Sequence, residues 1–139
     1  MPPTSTNKRV DLDTVDELAI RSLLLGIVHR TIADYAPARA FLLDAHKKAA
    51  DVEISTWVGG VSSFELAVLD LKEADMKATN LEPDEAMKMW ENVLQRSSET
   101  LDQAYALSKN TDMSSRLDSR IVMLRDEISD KRQLLGLTT

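Results

Sequence analysis

The chain has 139 residues, the length of one domain able to bury about two thirds of the surface that its unfolded form exposes. It contains no cysteine, which excludes disulfides and thiolate metal sites and favours a reducing compartment. Its net charge of −6 and aromatic content of 4% argue against a nucleic-acid partner, because such a partner requires clustered cations and stacking side chains.

The beginning of the chain carries no targeting signal that the sequence reveals. Residues 1–12 are rich in proline, serine and threonine, a composition that predicts a disordered tail ahead of one helical domain over residues 13–139. The longest apolar stretch, Leu23 to Val28, is too short to cross a bilayer, and no secretory signal precedes it. We therefore expect a cytoplasmic protein without a transmembrane segment.

The first predicted helix runs from Thr14 to about Thr31, and Thr14 and Glu17 have the spacing of a capping box. Its apolar residues cover more than one side, so we expect it to be enclosed on more than one side. We expect the outer face of this first helix to be covered either by a preceding repeat or by a second copy of the chain in a homodimer. One predicted face contains Val15, Leu18, Ala19, Ser22, Leu25, Gly26 and His29, and the remainder contains Ile20, Leu23, Leu24, Ile27 and Val28.

Two further helices are predicted from about Tyr35 to Val52 and from Ser55 to Ala74. The spacing predicts an apolar stripe on the third helix, which is followed by a linker from Asp75 to Glu82. Gly59 and Gly60 are expected to loosen its first turn. The predicted stripe consists of Trp57, Val61, Phe64, Val68 and Leu71.

The fourth helix is predicted from Pro83 to Ser108, since proline followed by two carboxylates is typical of a helix start. Asn110 and Asp112 mark a stop and a restart. The last helix has one narrow apolar stripe and a charged outer face, which is typical of a terminal cap. This stripe comprises Met113, Leu117, Ile121, Leu124 and Ile128. The pattern predicts an all-α fold of about five helices, arranged as tetratricopeptide-like hairpins with a C-terminal capping helix.

The hairpins follow the tetratricopeptide pattern of a Leu-Gly pair, a large residue three positions later, and a subsequent alanine run. Small residues in this pattern allow antiparallel helices to approach closely, and large ones fill the remaining space. The second unit is a weaker match than the first. The first unit comprises Leu25, Gly26, His29, Ala38, Leu42 and Ala45, and the second comprises Leu66, Ala67, Ala86, Trp90 and Val93.

Three short stretches resemble the C-terminal region of the tetratricopeptide repeat protein 39 family, which includes a fungal inclusion-body-clearance protein. They are Leu25 to Arg30, Thr56 to Gly59 followed by Phe64 to Leu66, and Arg116 to Ile121. The resemblance implies a non-enzymatic cytoplasmic scaffold, peripherally associated with mitochondria or lipid droplets. It also implies that the related proteins are longer than this chain.

The sequence predicts no catalytic, cofactor-binding or metal-binding residues. The two imidazoles, His29 and His46, would differ in level by about 12 Å along the first hairpin, which favours a packing role and a surface role over a shared metal. Glu65 is the polar residue of an apolar stripe and requires a partner. We predict an arginine rather than a role as general base, and the candidates are Arg30, Arg116 and Arg120.

Two functions are consistent with this pattern. The first is a scaffold that presents a groove to a protein or peptide partner, and the second is a bundle that encloses an apolar ligand such as a lipid. An enzyme is disfavoured because no catalytic motif occurs. Residues 51–139 carry 17 acidic against 10 basic side chains, so a partner steered by charge would meet them with a basic face, unless they form only a solvated surface.

Overall fold

A computed structural model describes residues 14–52, 56–109 and 114–137. These ranges contain no strand. The prediction of an all-α fold of about five helices is confirmed, and the predicted tail over residues 1–12 lies outside the described ranges. The described helices are α1 (Val15–Thr31), α2 (Tyr35–Ala49), α3 (Val58–Ala78), α4 (Pro83–Ser108) and α5 (Ser114–Leu134).

Consecutive helices pack against each other along the chain. The most extensive packing joins α1 to α2 and α3 to α4, while α2 also packs on α3 and α5 on α4. Smaller contacts join α1 to α3 and α3 to α5, so α3 contacts each of the other described helices. One buried cluster is formed by α1, α2 and α3, another by α3, α4 and α5, and Val61 packs against both.

Phe64 of the predicted stripe is buried and its other members are partly buried against the core, but burial on α3 extends well beyond that stripe. Its buried residues occupy most of the helix circumference because neighbours surround it. Gly59 and Gly60 are themselves buried, so they are packing residues of the first turn and not a loosened opening. The buried set is Val58, Gly59, Gly60, Ser62, Ser63, Phe64, Glu65, Leu66, Ala67, Leu69, Asp70 and Ala74.

The helix boundaries agree with the predicted ones except at three ends, one of which is the start of the third helix, at Val58 and not at Ser55. The Thr14 hydroxyl accepts a hydrogen bond from the Glu17 amide at 3.3 Å, which caps α1. The second helix ends at Ala49 and not Val52. The third continues to Ala78, four residues into the predicted linker, because no helix breaker intervenes there. The predicted stop and restart at Asn110 and Asp112, and Met113 of the last stripe, lie outside the described residues.

The same C-terminal capping motif closes α1 and α5, with a different residue at the left-handed position. After α1, Ala33 has φ 63°, and the Asp34 amide donates to the His29 carbonyl at 2.8 Å. After α5, Gly136 has φ 75°, and the Leu137 amide donates to the Arg132 carbonyl at 2.8 Å. Glycine is the usual residue at this position because it has no Cβ to crowd the backbone.

This difference predicts opposite effects of two substitutions. Ala33→Gly should stabilise the fold by about 0.5–1 kcal/mol, since relief of left-handed strain exceeds the added entropy of the unfolded chain. Gly136→Ala should destabilise it by about 1 kcal/mol through strain alone, because a Cβ there would meet no atom within 4 Å. Urea unfolding of both variants measures the effects. A destabilised Ala33→Gly variant would contradict the expectation.

Candidate functional site

An open groove lies between α2 and α4, with α3 as its floor. We call it the α3 groove; its volume is about 540 Å³. A second depression of about 230 Å³ shares four of its residues and extends it between α3 and α4. The groove is lined by Arg39, Leu43 and His46 of α2, by Ser63, Leu66, Asp70, Glu73 and Lys77 of α3, and by Arg96, Thr100 and Gln103 of α4.

Two carboxylates at the centre of the groove share one guanidinium. Arg39 Nη2 donates to Asp70 Oδ1 at 2.6 Å and also to Glu73. Arg96 Nε lies 3.7 Å from Asp70 Oδ2, beyond hydrogen-bond distance, and the Arg96 side chain is 62% exposed. Burial opposes the charged form of Arg39, but its hydrogen bonds to Glu73 and Asp70 outweigh that effect and raise its pKa. Arg39 therefore stays charged and compensates the two carboxylates.

A histidine and two serines join α2 to α3 at one end of the groove. His46 Nδ1 lies 3.2 Å from Ser63 Oγ and 3.5 Å from Ser62 Oγ. Ser62 donates to the Gly59 carbonyl at 3.0 Å. A catalytic nucleophile requires an accessible hydroxyl beside an oriented base, whereas Ser63 is only 1% exposed. The contact is best explained as a polar link between helices, which the sequence analysis did not predict.

Glu65 lies on the opposite side of α3 and is held by arginines from the first and last helices. Arg30 Nε donates to Oε1 at 3.0 Å, and Arg120 Nη2 donates to Oε2 at 3.2 Å. Glu65 is 1% exposed, whereas the Arg120 side chain is 51% exposed and also covers the Phe64 ring at 4.4 Å. Arg116 is exposed on α5 and is not among the described cations on Glu65.

The first repeat signature brings α1 and α2 into close contact at Gly26. A Cβ added at Gly26 would lie 2.6 Å from Leu42 Cγ and 3.2 Å from the Leu42 amide nitrogen. Ala38, Leu42 and Ala45 are fully buried around this point. Leu25, in contrast, is 36% exposed, so its predicted space-filling role is wrong. The inward side of α1 consists of Ala19, Ser22, Leu23 and Gly26, of which the predicted face contains all but Leu23.

The structure also shows the contacts of His29 and the burial of the residues in the second repeat signature. The His29 ring stacks on Phe41 at 5.4 Å, and its Nδ1 lies 3.2 Å from Asp34. Leu66, Ala67, Trp90 and Val93 are buried, and Ala86 is half-buried.

A close contact of the third helix occurs at Gly60. A Cβ at Gly60 would lie 2.9 Å from Leu117 Cδ2 on α5 and 3.4 Å from the Ala104 carbonyl oxygen on α4. Gly60 lies about two helical turns before Ala67, the position at which the repeat pattern would have glycine.

The residues that the structure describes contain neither a cluster of metal ligands nor a membrane-spanning helix. Among these residues, no group of three or more histidine, aspartate or glutamate side chains could hold a metal ion. The two histidines have separate surroundings, His29 beside Phe41 and His46 beside the buried serines. No described helix combines the length and the apolar character needed to cross a bilayer.

Asp44 on α2 provides a test of pH dependence. Hydrogen bonds from Lys48 and Ser22, both to its carboxylate, lower the pKa of Asp44 below its ordinary value of 3.8. A lowered pKa means that this group stabilises the fold above about pH 3.8 and loses that contribution as the pH falls through its folded pKa. Ser22→Ala removes one donor and should raise the Asp44 pKa toward 3.8, as measured by NMR titration. An unchanged titration would show that Ser22 has no such effect.

Comparison with known proteins was made for the whole chain. No family model, curated protein or solved structure matches it. The resemblance to the tetratricopeptide repeat protein 39 family therefore stays a prediction from short sequence stretches, and the candidate site stands on its geometry alone.

Proposed function

We propose that this protein is a non-enzymatic helical scaffold that holds a protein partner, as an extended peptide or a helix, in the α3 groove. The observation that supports this proposal is the form of the groove, which is open along α3 and has walls from two different hairpins. Leu43 and Leu66 offer apolar contact in it, while Arg96, Thr100 and Gln103 offer hydrogen-bonding groups. A groove that combines apolar pockets with polar groups is typical of peptide recognition.

An apolar ligand such as a lipid is the less favoured function. It would require an enclosed cavity lined mainly by apolar side chains. The depressions of the described part are each lined by several charged residues, among them Arg39, Asp70 and Arg96 in the α3 groove. This composition favours a partner that carries polar and charged groups of its own.

The family resemblance extends the proposal. We propose that the hairpins are tetratricopeptide-like, and that the scaffold acts in the cytoplasm in inclusion-body clearance or at the surface of mitochondria or lipid droplets. The consecutive packing of the hairpins and the close approach of Gly26 to Leu42 support the repeat assignment. Cell fractionation followed by detection of the chain tests the location.

Photo-cross-linking tests the use of the groove. A benzoylphenylalanine at Leu43, which is 50% exposed in the groove, should capture a defined partner from cell lysate. The same group at Met76, which is 55% exposed and does not line the groove, is the matched control. Capture from position 43 alone, abolished in the presence of excess unlabelled protein, supports the proposal. Equal capture from both positions would contradict it.

A second partner surface is proposed on α1. Its outer side carries an apolar stripe that no described helix covers, with Leu24 56%, Leu25 36%, Val28 54% and Ile32 65% exposed. We propose that a second copy of the chain covers this stripe in a symmetric dimer, because contiguous apolar surface favours association in water.

Sedimentation at micromolar concentration tests the proposed dimer. The wild-type chain should sediment as a dimer, and Val28→Glu should convert it to a monomer by placing a charge in the interface. Leu134→Glu, at a position that is 79% exposed on α5, is the control and should leave the dimer unchanged. A wild-type chain that is monomeric at all concentrations would disprove this surface.

A further inference from the structure

The net charge of the residues that line the α3 groove is opposite in sign to the net charge of the whole chain. The chain has a net charge of −6, yet the permanently charged residues that line the groove are Arg39, Lys77 and Arg96 against Asp70 and Glu73. Both carboxylates are already engaged by Arg39. The local excess is therefore positive, although the C-terminal part of the chain as a whole is acidic.

The cations that remain for a partner are Arg96 and Lys77. Arg96 forms an ion pair with Asp70, with Nε 3.7 Å from Oδ2, but its side chain is 62% exposed and can also contact a partner. Lys77 is exposed, and among the described residues no hydrogen bond or ion pair engages its side chain. These two groups can accept new carboxylate partners without breaking the Arg39 contacts.

We propose that the occupant of the α3 groove is an acidic peptide in extended conformation, with its carboxylates on Arg96 and Lys77. This inference rests on the proposed scaffold function and specifies the chemistry of its partner. Arg39 acts as a positioning residue, since it neutralises Asp70 and Glu73, which would otherwise repel such a peptide. Charge complementarity of this kind selects a partner and accelerates its association.

The spacing along α3 defines the sequence that the groove should accept. Leu66 precedes Asp70 by four residues, or about 6 Å of helix, and Lys77 follows Asp70 by seven, or about 10 Å. An extended peptide advances about 3.3 Å per residue and its side chains alternate between two faces, so carboxylates on the groove side must be an even number of residues apart. The expected order is an apolar residue at Leu66, an acidic residue two positions later at Arg96, and another four positions further, about 13 Å along the peptide, within reach of the long Lys77 side chain.

A fluorescent peptide with the sequence Leu-Ser-Glu-Ser-Ser-Ser-Glu, acetylated and amidated, is a direct probe. We expect it to bind about tenfold more tightly than the version with glutamine at both acidic positions, the combined effect of two exposed ion pairs. The version with lysine at both positions should bind more weakly still. Raising the salt concentration from about 0.1 M to about 1 M shortens the screening length from about 10 Å to about 3 Å and should remove the preference.

Two substitutions with matched controls locate the site. Lys77→Gln and Arg96→Gln should each weaken binding of the acidic peptide about threefold, the effect of one exposed ion pair. Lys72→Gln lies on the same helix but lines the opposite depression, between α3 and α5, and should have no effect. Amide chemical shifts should change on the groove side of α3, at Leu66, Asp70 and Glu73, and not at Phe64 or Val68.

The outcomes separate this inference from the proposed function. Binding of the lysine peptide in the groove with equal or higher affinity would overturn the acidic preference while leaving a peptide-binding groove. Absence of acidic-peptide binding at about 1 mM, the weak end of measurable affinity, would also overturn it. Failure of the proposed function would show independently, as equal cross-linking from Leu43 and Met76.

Discussion

Replacing both arginines that hold Glu65, as Arg30→Met and Arg120→Met together, is expected to destabilise the fold by about 3–5 kcal/mol. Glu65 is 1% exposed on the central helix and cannot turn its carboxylate into water. An uncompensated buried charge is among the most costly defects in a folded protein. The Arg120 side chain is 51% exposed, so Arg120→Met alone should cost only about 1 kcal/mol.

A third substitution tests whether the cost comes from the unpaired carboxylate. Glu65→Met in the double variant removes the charge and should restore most of the lost stability, since apolar replacement of a whole buried ion group is often neutral. The measurement is the urea midpoint of unfolding at constant slope. Arg125→Met, which breaks the exposed pair with Asp102 at 2.8 Å, is the control and should cost less than about 1 kcal/mol. A triple variant as unstable as the double variant would show that the carboxylate is not the cause.

Gly26→Leu is expected to cost about 3 kcal/mol by overpacking the contact between α1 and α2. A Cβ at this position already lies 2.6 Å from Leu42 Cγ, and Leu42 is fully buried and cannot move aside. The backbone nitrogen of Leu42 at 3.2 Å limits adjustment further. Gly26→Ala should cost less, because alanine is favoured over glycine in a helix by about 1 kcal/mol.

The other glycines of the core provide the comparison. Gly59→Ala would place its Cβ 3.4 Å from Ala49 Cβ, an ordinary contact, so this variant should keep its helix-propensity gain and be stabilised. Gly26→Ala combined with Leu42→Ala should be more stable than the sum of the single effects predicts, because the smaller residue removes the collision. Thermal unfolding of the set measures this. An unchanged melting temperature for Gly26→Leu would contradict the close approach of the two helices.

Local signals in the sequence predicted the helices well. The N-cap at Thr14 and the start of α4 at Pro83 depend on a few neighbouring residues, so both can be predicted from the sequence alone. The buried face of α1 was predicted correctly at Ala19, Ser22 and Gly26, but Leu25 was placed on it and Leu23 was not. A helix that is apolar around most of its circumference gives a weak periodic signal, and only its neighbours decide which side is inward.

The site was less accessible to sequence analysis for a related reason. The need of Glu65 for an arginine follows from its position in an apolar stripe, and Arg30 and Arg120 were among the predicted candidates. Choosing between Arg116 and Arg120, which are one helical turn apart, requires the position of α5 along α3. A groove was predicted, but its position on α3 was not, because Arg39 and Asp70 are 31 residues apart and meet only when α2 packs on α3.

The central position of α3 has a consequence for how the protein unfolds. The α1–α2 hairpin and the pair of α4 and α5 each bury part of their apolar surface on α3. Separating α1 and α2 from the rest would expose Leu66 and Leu69 to water. Releasing α4 and α5 would likewise expose Phe64 and Ala67. Neither pair can therefore open without removing packing from α3, the helix against which the other pair also packs. The described helices should consequently behave as one cooperative unit, in contrast to long repeat arrays in which stability is a sum over nearly independent neighbours.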